Sequence, residues 1–152
     1  VSKLSEMTEG STFHRVLWDH DYDTLAAPKE IKRAVFCSGK VYYDLLQARR
    51  ERDIKDVVLI RLEQLFPFPK EVVAEEIKRY PDAEIVWCQE EPRNQGAWAY
   101  MGQKFEDVLT DLGNACARAR YVGRDEMAST ATGSLKRHNE EQAALVDEAL
   151  SV

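Results

Sequence analysis

The amino-acid sequence predicts an α/β fold in which a mostly parallel sheet is covered by helices on both faces. First, strand-like and helical segments alternate four times after Ile31, which is typical of sheets built from strand–helix–strand units. Second, DVVLIRLEQL is a nearly continuous run of branched aliphatic residues, as expected for a strand buried on both faces. Third, 152 residues of which 44% are hydrophobic bury one core but not comfortably two.

The first half of this alternation contains two strands and two helices. IKRAVFCSG predicts a short strand that ends at Gly39, and KVYYDLLQARRERD follows with Val41 and Leu45 at helical spacing. The buried strand DVVLIRLEQL comes next. PFPKEVVAEEIKRYP then predicts a helix that starts at Pro69 and ends before Pro81.

The second half repeats the order strand, helix, strand, helix. AEIVWCQ predicts a third buried strand, Gly96 to Leu112 predicts a helix, and ARARYVG predicts a fourth short strand. RDEMASTATGS is interpreted as a loop, and HNEEQAALVDEAL predicts a final helix with Ala143, Val146 and Leu150 facing inward. Right-handed crossovers place the carboxyl ends of the parallel strands on one edge, where ligands and partners bind in such folds.

Residues 1–30 differ from the rest of the chain. Their hydrophobic residues are scattered without a sustained period, and an acidic cluster runs from Asp19 to Asp23. We interpret 1–30 as a linker or arm from a preceding domain that lies on another surface, and 31–152 as the domain itself. Because the chain begins with valine rather than methionine, we expect it to be a piece of a larger protein.

Composition argues against several classes of partner. Lysine and arginine number 21 and aspartate and glutamate 27, so the net charge is −6. Nucleic acid binding needs a concentrated basic face, and no apolar run approaches the roughly 20 residues that span a bilayer. Cys37, Cys88 and Cys116 are far apart and lack metal-ligand spacing, which fits a reduced, cytoplasmic-type protein.

The stretch WCQEEPRNQGAW raises the question of whether Glu90 and Glu91 form an acid/base pair. Two close carboxylates can separate their pKa values. Adjacent residues at a strand end point in opposite directions, however, and no histidine or lysine lies nearby in the sequence. Arg93, Asn94 and Gln95 supply donors suited to a fixed loop. The pattern therefore favours a structural or interface role over catalysis.

The SGK at 38–40 marks a second candidate, because it lies where a strand turns into a helix. Backbone N–H groups there, together with Lys40, suit an anion such as phosphate. A full phosphate-binding loop needs another glycine upstream and Ser or Thr after the lysine, where this chain has Val41. A tight turn at Gly39 is the simpler interpretation. Arg124 would strengthen an anion site if its loop converged on the turn.

The remaining chemistry-bearing residues predict no self-contained active site. The metal-type residues near the N-terminus match no tetrahedral or calcium-loop spacing and are interpreted as a solvated acidic linker. His138 is expected to cap or pack, Cys88 to be a small buried hydrophobe, and no G-x-S-x-G nucleophile motif occurs. We therefore assign no catalytic residue to this chain. The metal-type set comprises His14, Asp19, His20, Asp21 and Asp23.

Four long motifs nevertheless resemble a known family. CSGKVYYDLLQARRERD, DVVLIRLEQLFPFP, VWCQEEPRNQGAW and YVGRDEMASTATGS occur in order and are similar to the C-terminal domain of the thiamine-diphosphate-dependent component of 2-oxoglutarate dehydrogenase. TFHRVLWD resembles the linker before that domain. The resemblance implies a transketolase C-terminal-domain-like, three-layer α/β/α sandwich with a mostly parallel sheet and one antiparallel edge.

The same resemblance implies a function for the whole enzyme. It decarboxylates 2-oxoglutarate on thiamine diphosphate with magnesium and passes the succinyl group to the lipoyl group of the partner succinyltransferase, in the tricarboxylic acid cycle. The family holds its cofactor in the preceding domains, so this fragment alone is expected to bind neither cofactor nor metal and to be inactive. Its implied partners are the rest of its own chain and a homodimer partner. A bacterial cytoplasm is favoured over a mitochondrial matrix.

Particular residues acquire roles from the resemblance. The family's QEEP-NQG stretch lies near packed domain and subunit contacts, and the matching interface residues here are Glu90, Glu91, Asn94, Gln95 and Gly96. Some relatives bind acetyl-CoA as an activator through the loop matched by CSGK and through two consecutive arginines. Here the second arginine is replaced by Asp125, so only Ser38 and Arg124 are carried over to a regulatory site.

Two other readings remain open. One is a stand-alone regulatory module that senses an acyl-CoA or a nucleotide at the carboxyl edge. The other is a branched-chain or pyruvate decarboxylating subunit, which the sequence motif VWCQEEPRNQGAW disfavours. A domain taken from a large dimer is also expected to expose apolar surface, and Trp18, Phe66 and Trp98 are the candidates.

Overall fold

The computed structural model describes Thr8 and residues 10–114 and 117–152. Helices and strands alternate through these residues, and two short 3-10 turns, Tyr22–Thr24 and Pro28–Glu30, precede the first long strand. None of the described helices combines the length and the apolar character needed to cross a membrane. The strands are β1 (Val16–Leu17), β2 (Arg33–Cys37), β3 (Val57–Leu62), β4 (Glu84–Pro92) and β5 (Arg120–Arg124); the helices are α1 (Val41–Glu51), α2 (Lys70–Arg79), α3 (Trp98–Asp111) and α4 (Leu135–Leu150).

The five strands form one mixed sheet in the order β1-β3-β2-β4-β5. Strands β2 to β5 are parallel, and β1 pairs with β3 in the antiparallel sense. Every residue of β2 and of β3 is buried, as expected for central strands that are covered on both faces. The mostly parallel sheet is therefore confirmed.

Two separate hydrophobic clusters lie on opposite faces of the sheet. On one face α2 and α3 pack over Phe36, Ile60 and Trp87. On the other face α1 and α4 pack over Val35 and Leu59. Because the sheet residues alternate between the two clusters, the molecule has three layers, and the predicted α/β/α sandwich is confirmed.

Helix α4 differs from the prediction at its start and on its buried face. It begins at Leu135 rather than His138, because the Ser134 side chain accepts a hydrogen bond from the backbone N–H of Arg137 and caps the helix. Ala143 is exposed, so its predicted inward position is wrong. The residues of the first two turns of α4 are mostly polar, so the sequence shows no helical spacing of apolar residues there. The buried residues of α4 are Leu145, Val146, Ala149 and Leu150.

Residues 16–24, here called the N-terminal strap, lie against the β3 edge of the sheet. Val16 and Leu17 form β1 opposite Leu62 and Arg61. Asp19 is only 7% exposed, so the interpretation of the whole acidic cluster as a solvated linker is wrong at this residue. Its carboxylate is held by a buried arginine of α1, a partner that lies far away in sequence. The domain division at residue 30 stays a prediction.

Candidate functional site

The carboxyl ends of β2, β3 and β4 meet in one cleft, at the edge that the crossover argument predicts. We call it the carboxyl-edge cleft, and its volume is about 500 Å³. One wall is the turn that joins β2 to α1, and another is the carboxyl end of β4 together with the turn that follows it. Leu65, in the segment between β3 and α2, adds an apolar wall. The lining residues are Ser38, Gly39, Lys40, Leu65, Trp87, Gln89, Glu90, Glu91, Gly96 and Ala97.

Gln89 organises the wall contributed by β4. The side chain is buried, and its oxygen accepts hydrogen bonds from the Trp87 indole and from the backbone N–H of Trp98, both at 2.9 Å. Its amide nitrogen lies 3.2 Å from the carbonyls of Glu91 and Pro92 and 2.8 Å from that of Gln95. One side chain thus provides hydrogen-bond partners for the carbonyl groups of the turn after β4 and for an N–H group at the start of α3.

Glu90 and Glu91 face different neighbours. Glu90 forms an ion pair with Lys40 at 3.1 Å, whereas the side chain of Glu91 packs close to Gly96. Hydrogen bonds to Asp44 and then to Glu90 hold the pKa of Lys40 above its ordinary value, so this amine stays protonated and does not serve as a base. The geometry does not build a shared-proton carboxylate pair at this site.

Asn94 and Gln95 bind the loop that follows β5. The Asn94 amide donates to the Met127 carbonyl and its oxygen accepts from the Met127 N–H, each at 3.1 Å. The Gln95 amide donates to the carbonyls of Met127 and Ser129 at 3.0 and 3.1 Å. Among the predicted interface residues, these two therefore fix an internal loop, while Glu91 and Gly96 remain exposed at the cleft rim.

Ser38 and Arg124 do not line the same cleft. Ser38 belongs to the carboxyl-edge cleft, and Arg124 lines a neighbouring hollow of about 290 Å³ between β5 and α4. The Arg124 guanidinium is buried and lies 3.1 Å from the His138 ring and 3.4 Å from a Glu141 oxygen. His138 is therefore a packing group for this arginine.

A chain of polar contacts nevertheless connects the two clefts. The Arg124 guanidinium donates to the Gln142 oxygen at 3.2 Å, and the Gln142 amide donates to Asp44 at 2.8 Å. The same Asp44 oxygen pairs with Lys40 at 2.8 Å, and Lys40 pairs with Glu90. We call this series the polar relay. It places Arg124 three side chains away from the turn instead of on it.

Other chemistry-bearing groups offer no reactive centre. Burial raises the pKa of the Cys88 thiol to about 12 and that of Cys37 well above its ordinary value, so both are protonated and inert. Cys88 is confirmed as a small buried hydrophobe, whereas Cys116 lies outside the described residues. Across the described part of the chain, no group of three or more His, Cys, Asp or Glu side chains is arranged to hold a metal.

Two features of the site escaped the sequence reasoning. Gln89 was grouped with a buried strand, although a polar residue directly after IVWC signals a buried amide that needs several partners. Lys40 lies fifty positions before Glu90, so no local spacing in the sequence links the two. The pairing of neighbouring parallel strands β2 and β4, with Cys37 opposite Cys88, brings their following residues together.

The fold and its carboxyl-edge cleft define an α/β domain of the class that binds partners or ligands at the ends of parallel strands. A family model described as 2-oxoglutarate dehydrogenase C-terminal matches residues 1–150. Similar proteins include 2-oxoglutarate dehydrogenase E1 components of Brucella anthropi, 46% identical, and of Brucella ovis and Brucella canis, each 45% identical, over 156 aligned positions. The chain belongs to the 2-oxoglutarate dehydrogenase C-terminal family.

These alignments cover nearly all of this chain but only a small part of each relative. They cover 99% of this chain but only 16% of each relative's length. The chain therefore corresponds to a small part of an E1 component. The resemblance stated from the four motifs is confirmed, and the activity of a whole E1 component is a matter for proposal.

Proposed function

We propose that this domain braces neighbouring parts of a 2-oxoglutarate dehydrogenase E1 component, both the rest of its own chain and a homodimer partner. The contacts would be made at the carboxyl-edge cleft, where Glu90, Glu91 and Gly96 form the rim and Asn94 and Gln95 stiffen the loop behind it. The observation that carries the proposal is a rim fixed by internal hydrogen bonds, close to the exposed side chain of Phe66.

Exposed aromatic residues support this proposal. Phe66, which follows the cleft residue Leu65, is 81% exposed, and Trp18 on the strap is 54% exposed. Trp98 differs from the expectation, since its ring packs on Tyr121 with centroids 5.2 Å apart. Aromatic residues are enriched in protein–protein interfaces, so the exposed side chains of Phe66 and Trp18 support a contact with a partner surface.

The whole enzyme is proposed to decarboxylate 2-oxoglutarate on thiamine diphosphate with magnesium and to succinylate the lipoyl group of a partner succinyltransferase, in a bacterial cytoplasm. The residues described here do not fit that cofactor: Lys40 is paired with two carboxylates, and no donor set for magnesium is present in the described ranges. The domain contributes support, and chemistry belongs to other parts of the E1 component.

Charge reversal at the rim tests the bracing role in a full-length E1 component. Glu91→Lys combined with Phe66→Asp is expected to weaken subunit assembly in sedimentation experiments, because both side chains are exposed in the isolated domain and would meet a partner surface. Glu75→Lys, an exposed change on α2, is the control. Unchanged assembly of the rim variant, with the domain folded, would contradict the proposal.

The isolated chain provides a separate test of where catalysis lies. With 2-oxoglutarate, thiamine diphosphate and magnesium it is expected to give no turnover, since the described residues supply no acid/base pair and no cofactor site. Measurable decarboxylation by the purified 152-residue chain would refute this assignment.

The polar relay favours a second candidate function, the sensing of an acyl-CoA through Ser38 and Arg124. A ligand that displaced Glu141 from Arg124 would shift Gln142 and, through Asp44, the Lys40–Glu90 pair. Calorimetric titration of acetyl-CoA into the chain tests this idea. Heat that is absent from an Arg124→Gln variant would support sensing, whereas no heat with the unaltered chain would remove it.

A further inference from the structure

The N-terminal strap meets β3 in a register that extends beyond the two residues of β1. Val16 lies opposite Leu62. The same antiparallel register assigns Asp19 to Leu59, and the Asp19 carboxylate accepts a hydrogen bond from the Leu59 N–H at 2.8 Å. A slip by one residue would turn the buried Val16 out of the core and separate Asp19 from this N–H group. The strap therefore has a single favourable register on β3.

One end of this register reaches the carboxyl-edge cleft. The carbonyl of Arg15, the residue before the strap, accepts hydrogen bonds from the N–H groups of Glu63 and Gln64 at 2.9 and 3.1 Å. Leu65, the next residue, lines the cleft, and Phe66 after it is 81% exposed. We call these two residues the Leu65–Phe66 segment. A single carbonyl thus holds the main chain from which this segment extends.

The other end of the strap is held by a buried ion pair. The Asp19 carboxylate accepts a hydrogen bond from Arg49 of α1 at 2.7 Å, and both side chains are almost fully buried. Arg49 also donates to the Val57 carbonyl at 3.1 Å, so it bridges the strap and the start of β3. A displaced strap would take Asp19 away from Arg49, and separating a buried pair is costly. These contacts favour two states, docked and released, over a partly docked strap.

Apolar packing ties the strap to the same part of the fold. Val16 belongs to the hydrophobic cluster under α2 and α3, against which Leu65 and Phe68 also pack. Phe68 has a second hold, because its ring makes an edge contact with Phe105 of α3, with ring centres 6.3 Å apart. The chain after the Leu65–Phe66 segment is therefore anchored on α3, while the chain before it depends on β3 and on the strap. Release of the strap weakens only the hold before the segment.

We propose that the strap is a conformational coupling device, which orders the Leu65–Phe66 segment when it docks and loosens it when it leaves β3. Release of the strap removes the acceptor of Glu63 and Gln64, whereas docking restores it. Because coupling between two sites is reciprocal, a loosened segment also weakens the docking of the strap. The coupling is a property of the chain itself, and its use to control contacts at the carboxyl-edge cleft rests on the proposed function.

Truncation tests the coupling from the side of the strap. A chain that begins at Val16 lacks the Arg15 carbonyl, and the matched control begins at Phe13 and retains it. In NMR relaxation experiments, the order parameters of the backbone amides in the Leu65–Phe66 segment are expected to fall from about 0.85 in the control to below about 0.6 in the shorter chain. The amides of α3 are expected to stay rigid in both chains. Circular dichroism verifies that both chains fold.

A reverse experiment perturbs the Leu65–Phe66 segment and measures the docking of the strap. Leu65→Ala is expected to accelerate hydrogen exchange of the Leu59 N–H, whose acceptor is Asp19, at least about tenfold. Leu112→Ala is the matched control, because Leu112 is also partly buried against the same hydrophobic cluster but lies at the end of α3. The control is expected to change the exchange rate of the Leu59 N–H by less than about twofold.

Each of the two experiments can refute the inference. Unchanged order parameters at Leu65 in a folded chain that lacks Arg15 overturn it, and so does equal exchange of the Leu59 N–H in the Leu65 and Leu112 variants. If the shorter chain fails to fold, the comparison of the two alanine variants decides. Neither result bears on subunit assembly, which the charge-reversed rim variant tests separately.

Discussion

At the scale of single residues, Gln89 shows how one buried amide can define a loop. It lies at the end of an apolar strand and forms hydrogen bonds with five groups, which include the N–H at the start of α3. A carboxylate could accept from the two N–H groups but has no N–H to donate to the surrounding carbonyls, so glutamate cannot make the same contacts. The rim of the carboxyl-edge cleft therefore depends on this residue.

Replacing Gln89 by methionine tests that dependence. The change keeps the volume but leaves the Trp87 indole N–H and several carbonyls without a partner, which we expect to cost about 2–4 kcal/mol of unfolding free energy. Urea denaturation provides the measurement. The same substitution at Gln103, an exposed glutamine on α3, is expected to change stability by less than about 0.5 kcal/mol. Similar losses at both positions would show that the amide network is not decisive.

At the scale of elements, the N-terminal strap is clamped to both layers of helices. Asp19 forms a buried ion pair with Arg49 of α1, and its carboxylate also accepts from the Leu59 N–H at 2.8 Å. On the other side, the Trp18 indole donates to Glu76 of α2 at 2.6 Å. A segment with only two residues of β structure is therefore fixed mainly by side chains.

The Asp19 clamp makes a quantitative prediction. Asp19→Ala is expected to destabilise the chain by about 3–5 kcal/mol, because the buried Arg49 loses its closest carboxylate and keeps only Asp21, 3.4 Å away. Asp23→Ala, an exposed change on the same strap, serves as the comparison and should be nearly neutral. The double variant Asp19→Ala/Arg49→Met should recover part of the loss in urea denaturation. A double variant as unstable as the sum of its parts would contradict the explanation.

The elements also show what sequence reasoning could and could not supply. DVVLIRLEQL and the proline-bounded segment after it gave β3 and α2 correctly, because burial on both faces and helix punctuation are local signals. The strap gave no such signal: its buried aspartate is explained by Arg49 and by the Leu59 N–H, thirty and forty positions later. The start of α4 was missed for a related reason, since its first turns are polar and only the Ser134 cap marks them.

At the scale of the whole molecule, three tyrosines couple stability to alkaline pH. Burial raises the pKa of Tyr42, Tyr80 and Tyr121 to about 12. In the unfolded chain these phenols ionise near their ordinary value of 10, so between pH 10 and about 12 the folded state binds more protons. The free energy of unfolding should therefore fall as pH rises through this window, and be unaffected by these groups below it.

Tyr80→Phe isolates the contribution of one tyrosine to this pH dependence of the unfolding free energy. Phenylalanine cannot ionise, so the difference in unfolding free energy between about pH 8 and about pH 11 should be smaller than in the unaltered chain. Urea denaturation at the two pH values gives the slope. Tyr100→Phe, at a partly exposed position on α3, controls for loss of a hydroxyl as such. A Tyr80 variant with the original slope would show that another group governs alkaline unfolding.

For the molecule as a whole, the periodicity of the sequence and the right-handedness of the crossovers were enough to predict the sandwich and the common carboxyl edge of the sheet. Which side chains meet at that edge did not, because contacts such as Lys40 with Glu90 depend on strand order rather than on spacing. The separation of Ser38 from Arg124 has the same origin. Strand β4 lies between β2 and β5, so the turn after β2 and the loop after β5 are not neighbours.

The division of the interior by the sheet has an evolutionary consequence. Phe36 and Phe105 pack on one face, and Leu45 and Ala149 on the other, with β-strand backbone between them. Substitutions in non-contacting groups usually add in their effects on stability. A lineage can therefore revise the packing under α2 and α3 while leaving that under α1 and α4 intact, so each half of the interior can follow its own mutational history.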